Sequence, residues 1–203
     1  MKLQKLFLSF TALATALFMG GCATNQGTYV DSRGPDTLVV GDQITVTDFY
    51  IASDEMVNSL VSSGALERSP KQPAILGISR IINDTREQFD TDQLVKKIRV
   101  ALNQTGKVMT TTTVGYRGNA EDKFAEAINA KKEYLEGKAA VPDATPDFTL
   151  SGKIIQTAKV KVGKQRQNSY IFQLSLTEVR SGIAVWEGEE TITKQYKKGG
   201  VSW

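Results

Sequence analysis

The sequence has no histidine among its 203 residues and only one cysteine, Cys22. Histidine is the side chain that most often serves as a general base near neutral pH and as a zinc ligand, so its absence excludes Ser-His-Asp and Cys-His catalytic arrangements. A single cysteine excludes an internal disulfide, a Cys-x-x-Cys redox pair and a thiolate cage for a metal. With 25 basic and 22 acidic residues, the chain also lacks the charge excess typical of nucleic-acid binding.

Nucleophile and phosphate-binding motifs are missing as well. No serine is followed three positions later by lysine, and none of the Gly-Lys pairs is followed by the Ser or Thr that a P-loop requires. Glu187 and Glu189 would share one face of a strand as an acid/base pair, and Asp84, Asp90 and Asp92 could bind Mg²⁺. A solvated strand face and a helix start explain these residues more simply. The sequence therefore predicts no enzyme, no metal and no cofactor.

The first 21 residues are organised like an export signal. Lys2 and Lys5 precede an apolar stretch from Leu6 to Met19, which at about 1.5 Å per residue is too short to cross a hydrocarbon core of about 30 Å. The stretch leads into Gly20-Gly21-Cys22, which resembles a bacterial lipobox. We therefore expect cleavage before Cys22 and acylation of its thiol, and several acyl chains would give a stable membrane anchor. An ordinary secretory peptide with a chance cysteine is the alternative.

The residue after the cysteine predicts the membrane in which the protein is anchored, and the segment that follows predicts its tether. Ala23, rather than Asp, favours sorting to the outer membrane. Residues 22–52 are predicted to form a lipid-anchored, partly flexible tether, in which residues 23–36 are polar and punctuated by Gly and Pro. Those 14 residues would reach about 45 Å when fully extended. Residues 38–51 alternate in polarity, which indicates either an edge strand or an extended arm.

A globular domain is predicted over residues 53–203. Ser53 is expected to cap its first helix, and a capping pattern at residues 90–93 begins a second one. A third helix is predicted over residues 119–136, with Phe124, Ala127, Ile128 and Leu135 facing inward. Strands are predicted at 74–82, 107–113, 147–162, 168–179 and 183–195. The order of elements predicts an α/β (α+β) sandwich, with helices packed on a mixed sheet that ends in three antiparallel strands.

Four basic residues flank a predicted hairpin turn at Gly163: Lys159, Lys161, Lys164 and Arg166. They form either a binding patch for an acidic partner or a charged edge hairpin that discourages aggregation. A second basic group, Lys194, Lys197 and Lys198, lies near the C-terminus. Trp186, in the middle of the last strand, is interpreted as a core residue, with an interface anchor as the alternative.

Several segments together resemble the LpoB family. They run in order through the predicted domain and are Met56–Leu60 (MVNSL), Gly77–Thr85 (GISRIINDT), Asp90–Leu102 (DTDQLVKKIRVAL), Gln165–Tyr170 (QRQNSY) and Val185–Glu189 (VWEGE). The family comprises outer-membrane lipoproteins that activate class A penicillin-binding proteins. The resemblance implies a non-catalytic regulator that docks a periplasmic domain on such a synthase and stimulates peptidoglycan synthesis.

The tether departs from the pattern of the best-studied branch of this family, whose linker is long and rich in proline. Residues 23–36 contain a single proline, Pro35. Two other functions are considered: an envelope assembly or secretion lipoprotein that shares the same domain, and a periplasmic small-ligand binder. The first would require long amphipathic hairpins with an apolar outer face, and the second a concave apolar pocket with a few polar groups.

Overall fold

A six-stranded mixed sheet is the centre of the fold in the computed structural model, which describes residues 27–113, 122–137 and 145–197. The strands are β1 (Ala74–Asp84), β2 (Val108–Thr110), β3 (Phe148–Gln156), β4 (Val160–Val162), β5 (Gln165–Glu178) and β6 (Ile183–Lys197). The helices are α1 (Val46–Ser62), α2 (Asp92–Gln104) and α3 (Lys123–Glu136), with one 3₁₀ turn at Ala65–Arg68.

The strands lie in the order β2-β1-β3-β5-β6. Strand β1 is parallel to β2 and β3, whereas β5 is antiparallel to β3 and β6. This arrangement confirms the predicted mixed sheet with an antiparallel end. The strand predicted over residues 147–162 is interrupted, because the register against β5 shifts by one residue between Gln156↔Tyr170 and Val160↔Gln167. The two pieces, β3 and β4, therefore follow one edge of β5 as a bulged strand would.

The two faces of the sheet differ in polarity. Alternate residues of β5 are buried, namely Tyr170, Phe172, Leu174 and Leu176. Leu150 and Ile154 on β3, which pair with Leu176 and Phe172, continue the same apolar surface. Helices α1 and α2 cover this face with Met56 and Leu60, and with Leu94, Ile98 and Leu102. Alternation within strands and a stripe along α2 were both predicted, and both are confirmed. The opposite face carries mostly polar side chains such as Ser151, Lys153, Gln173 and Ser175.

Trp186 belongs to the core, as predicted, and is 9% exposed. It lies opposite Leu176 on β5. A Cβ atom on Gly188 would lie only 2.4 Å from the indole ring, so the indole fits because this position has no side chain. Trp186 therefore stabilises the apolar face of the β5–β6 ribbon rather than serving as an exposed anchor.

Helix α1 begins earlier than predicted, at Val46 rather than at Ser53. Its first turn is held by Asp48, whose Oδ2 accepts hydrogen bonds from the backbone N of Thr45 at 2.6 Å and from the Thr45 hydroxyl at 3.0 Å. Ser53 is buried inside the helix, where its hydroxyl donates to the carbonyl of Tyr50 at 3.0 Å. The prediction of a strand or an extended arm is therefore wrong for residues 46–51.

Helix α3 forms where it was predicted, but its orientation was predicted wrongly. Asp122 caps it by accepting from the backbone N of Phe124 and of Ala125 at 3.1 and 2.9 Å. The expected inward face is exposed, with Phe124 at 77%, Ile128 at 50% and Leu135 at 65%. The physical reason is that α1 and α2 already cover the apolar face of the sheet. Residues 119–121 of the predicted helix lie outside the described residues.

Candidate interaction surfaces

The predicted basic residues come together on the hairpin between β4 and β5. The strands are joined by a two-residue turn at Gly163 and Lys164, and Gly163 has the positive φ of 57° that such turns favour. Lys161 lies directly opposite Arg166 in the antiparallel register. Lys159, Lys161 and Lys164 are exposed, and Arg166 is half-buried. We refer to residues 159–166 as the basic hairpin.

The basic hairpin has a fixed shape and two distinct sides. The Arg166 guanidinium donates to the carbonyls of Gly163 and Gln165 at 2.7 and 2.9 Å, so it also braces the turn. Val160 and Val162, which alternate with Lys161, are half or more exposed. The hairpin thus presents two valines on one side and cations on the other. No acidic residue occurs between residues 157 and 167, so its charge is not neutralised within the segment.

Lys194 does not join this basic surface, although it lies in the predicted C-terminal basic group. It is 5% exposed and forms an ion pair with the equally buried Asp48 at 2.5 Å. Its ammonium also donates to the carbonyls of Val40 and Gln43 at 3.0 and 2.7 Å. Three acceptors satisfy the three donors of a lysine ammonium. Lys197 is exposed on the same strand, and Lys198 lies outside the described residues.

A second polar contact holds the stretch of chain just before α1, residues 40–45, which we call the linker segment. Glu87 accepts a hydrogen bond from the backbone N of Ile44 at 2.7 Å and another from the hydroxyl of Tyr170. Asn168 donates to the same tyrosine oxygen. Burial raises the pKa of Tyr170 well above its usual range, and the hydrogen bond to Glu87 raises it further. The phenol is therefore held protonated as a donor to Glu87.

Glycine at position 41 allows the linker segment to approach the sheet closely. A Cβ atom on Gly41 would lie 2.5 Å from the Cβ of Tyr196 on β6. Any larger residue would displace either the linker segment or the end of β6. Together with Lys194 and Glu87, this contact attaches the segment that precedes α1 to both the last strand and the loop after β1.

The acidic residues weighed as catalytic or metal-binding groups have structural partners. Glu187 and Glu189 accept hydrogen bonds from Ser175 at 3.1 Å and Gln173 at 2.8 Å on the neighbouring strand. Asp84 pairs with Lys153 at 2.6 Å, and Asp90 accepts from the first backbone N of α2 at 2.9 Å. Within residues 27–113, 122–137 and 145–197, no group of three potential metal ligands is close enough to hold a metal ion. No helix in these ranges is long and apolar enough to cross a membrane.

Comparison with known proteins identifies the family. The family model described as peptidoglycan-synthase activator LpoB matches residues 48–192. The chain belongs to the LpoB family. The match begins at the residue that caps α1 and ends within β6, so it includes the sheet, the basic hairpin and all three helices. No curated protein matches the sequence significantly.

Two LpoB domains are among the solved structures that match the chain. The C-terminal domain of LpoB from Salmonella enterica is 13% identical, with 71% of this chain and 98% of that chain covered and a TM-score of 0.44. The C-terminal domain of Escherichia coli LpoB is 16% identical over the same shares, with a TM-score of 0.43. Lipoprotein GNA1162 from Neisseria meningitidis is 13% identical, with 64% of this chain and 88% of that chain covered and a TM-score of 0.40.

The interactions of this LpoB-family chain that its sequence did not predict are those between residues far apart in the sequence. Lys194 and Asp48 are separated by 146 positions, and Tyr170 and Glu87 by 83. The only local signal was the three-residue spacing of Thr45 and Asp48, which is typical of a helix N-cap. By contrast, the basic hairpin was located in advance because a glycine turn between two β-rich runs is a local pattern. Cys22, the predicted lipidation site, lies outside the described residues.

Proposed function

We propose that the protein is a non-catalytic outer-membrane lipoprotein that binds a class A penicillin-binding protein and stimulates its peptidoglycan synthesis. The observation that carries this proposal is the family match over residues 48–192, which extends through nearly the whole described domain. Cys22 would carry the lipid anchor, and the domain would face the periplasm. The LpoB family is one of activators rather than of catalysts, so the synthase itself supplies the catalytic groups.

The basic hairpin is our candidate for the surface that contacts the synthase. It presents three exposed lysines, Lys159, Lys161 and Lys164, beside two exposed valines. The Arg166 side chain donates hydrogen bonds to backbone carbonyls of the turn, so the basic hairpin keeps its shape without a partner. A preorganised hairpin loses little conformational entropy on binding, and its cations favour an acidic surface. The proposed partner therefore offers carboxylates around a small apolar patch.

Activation by such a domain requires only differential binding. If the domain binds the active conformation of the synthase more tightly than the inactive one, it shifts the population towards the active state. A difference of about 1.4 kcal/mol between the two affinities changes the equilibrium tenfold. No residue of the activator has to enter the active site of the synthase.

The contacts of Ser32 and Arg33 with α1 limit how far this domain could extend from a membrane. Arg33 pairs with Asp54 of α1 at 3.2 Å, and Thr47 donates to the carbonyl of Ser32 at 3.0 Å. Chain from Ser32 onward is thus attached to the domain, and residues 22–31 remain as the spacer. Ten residues reach about 33 Å when fully extended. We expect the point at which the chain joins the domain to lie within that distance of the outer membrane.

The deciding experiment is a glycan-polymerisation assay on each class A penicillin-binding protein of the source organism. Full-length lipidated protein in detergent is added, and the rate of polymerisation is measured against detergent alone. We expect faster polymerisation by at least one synthase. No stimulation and no binding for any of them, with protein shown to be folded, would contradict the proposed function.

The role of the basic hairpin is tested by charge reversal. The double variant Lys159→Glu/Lys161→Glu should weaken binding to the stimulated synthase by at least tenfold, with a matching loss of stimulation at subsaturating concentrations. Arg68→Glu/Lys71→Glu is the matched control, since both residues are exposed and lie near Ser69, which contacts the opposite end of the sheet through Asp147. Equal effects of the two double variants would point to net charge rather than to the hairpin.

A further inference from the structure

Helix α3 leaves a stripe of three apolar side chains uncovered. Phe124, Ile128 and Leu135 lie within 40° of one another around the helix, at 100° per residue, and each is half or more exposed. Tyr134, about 80° from Phe124 around the helix, is 88% exposed. No residue of α3 is buried. Such a stripe on a stable, capped helix is typical of a surface that binds another molecule.

Charge is arranged systematically around the stripe. At 100° per residue, Lys131 lies about 20° from Phe124 and Lys132 about 40° from Ile128. The three glutamates of the helix, Glu126, Glu133 and Glu136, lie at least about 80° from any residue of the stripe, on the other side of the helix. All of these glutamates and lysines except Lys132 are exposed. The helix therefore presents apolar groups and cations in one direction and carboxylates in the other.

This arrangement decides which occupant the stripe accepts. Packing α3 against α3 of a second copy would bring the stripe lysines of both copies together, while their glutamates would point away. An occupant with carboxylates around an apolar groove would instead pair with Lys131 and Lys132 as it covers Phe124 and Ile128. Lys131, only about 20° from Phe124 around the helix, further requires a carboxylate inside the groove, because an unpaired buried ammonium is costly.

We propose that α3 is a docking helix that inserts its stripe into an apolar, acid-rimmed groove on the partner protein. The identity of that partner, a class A penicillin-binding protein, rests on the proposed function. The helix and the basic hairpin are separate elements, joined to the sheet at different strands, and each can be altered without the other. A helix that buries nothing in its own domain remains available for the partner.

The test measures the affinity of full-length protein in detergent for the synthase that it stimulates. The double variant Phe124→Ser/Ile128→Ser should raise Kd at least tenfold. Lys131→Glu, which keeps the apolar groups, should raise Kd at least fivefold. The matched control is Glu126→Gln/Glu133→Gln on the opposite face, which should leave Kd unchanged. All three proteins should unfold at the temperature of the wild type, because the altered side chains are exposed.

The outcomes separate this proposal from the proposed function. Wild-type protein that binds no synthase would overturn both. Wild-type binding that persists unchanged in the stripe variants would overturn only the docking helix. Co-sedimentation with vesicles of phosphatidylethanolamine and phosphatidylglycerol provides the remaining comparison. Loss of vesicle binding in the stripe variants, with synthase affinity unchanged, would show that the stripe contacts lipid and would also overturn the proposal.

Discussion

Helix α2 buries Leu94, Ile98 and Leu102 almost completely, whereas helix α3 leaves Phe124 and Ile128 half or more exposed. Both helices were predicted from apolar residues at helical spacing. The difference shows that periodicity identifies the apolar side of a helix but not the surface that will cover it. Strand β6 repeats the contrast with two cations, since Lys194 is buried in an ion pair and Lys197, three positions later, is exposed.

The largest expected difference in unfolding free energy is between variants of Lys194 and Lys197. Lys194→Met leaves Asp48 buried without its cation, and breaking a buried ion pair in this way should lower the free energy of unfolding by about 3–5 kcal/mol. Lys197→Met should change it by less than about 0.5 kcal/mol, because the residue is exposed. Urea denaturation of both variants measures the two values. Similar values would contradict the structural role of Lys194.

The contrast between the helices is tested by removing one leucine from each. Leu102→Ala should lower the free energy of unfolding by about 2–5 kcal/mol, because it opens a cavity in the core. Leu135→Ala in α3 should change it by less than about 0.5 kcal/mol. Urea denaturation is again the measurement. A loss of several kcal/mol for Leu135→Ala would show that α3 packs against the domain and would remove the basis of the docking helix.

The third comparison is between a buried tyrosine, Tyr170, and an exposed one, Tyr134. Tyr170→Phe removes the hydroxyl that donates to the half-buried carboxylate of Glu87, and losing a hydrogen bond to a charged group should cost about 1–3 kcal/mol. Tyr134→Phe in α3 should have no measurable effect on stability, because the side chain is exposed. Equal unfolding free energies for Tyr170→Phe and wild type would show that Glu87 finds another donor.

The raised pKa of Tyr170 also predicts how its contribution depends on pH. The folded protein keeps this proton to higher pH than the unfolded chain, in which tyrosine titrates near its ordinary value of about 10. The stabilisation is therefore complete below about pH 10 and decreases as pH rises further. Wild-type protein should lose stability more steeply than Tyr170→Phe between about pH 9 and 11, as measured by urea denaturation across that range. Parallel curves would contradict the shift.

The smallest expected effects concern the helix caps. Asp90→Ala, which removes an acceptor at the start of the covered helix α2, should lower the free energy of global unfolding by about 1 kcal/mol. Asp122→Ala at the start of α3 should leave global unfolding nearly unchanged and raise amide exchange within α3 by about fivefold. Hydrogen exchange together with urea denaturation separates the local effect from the global one.

The parts of the fold that depend on residues close together in the sequence could be predicted. The capping pattern at residues 90–93 located α2, and Gly163 located the turn of the basic hairpin. The start of α1 was missed because the alternation of Ile44, Val46 and Asp48 indicated a strand more strongly than Thr45 indicated a cap. The buried role of Asp48 depends on Lys194, 146 positions away, and no local pattern can show that contact.

The two candidate surfaces differ in the same way, because one depends on a local sequence pattern and the other on long-range packing. The residues of the basic hairpin were identified in advance, since their grouping requires only a turn between two strands. The exposed stripe of α3 was predicted to face inward, because whether a helix is covered depends on which other elements already occupy the sheet. The exposure of α3 is set by the packing of α1 and α2 on the sheet, which depends on residues throughout the chain.

The contact of Lys194 with the linker segment also defines a path for mechanical force. It joins the linker segment and the first turn of α1 to β6 through Val40, Gln43 and Asp48. If the N-terminus is attached to a membrane as proposed, tension would first load the contacts of Ser32 and Arg33 with α1 and then this junction. The load would then pass into the β5–β6 ribbon, whose many parallel hydrogen bonds share it, instead of unwinding α1 turn by turn. A domain pulled from its anchor would keep its binding surfaces in register while the tether is taut.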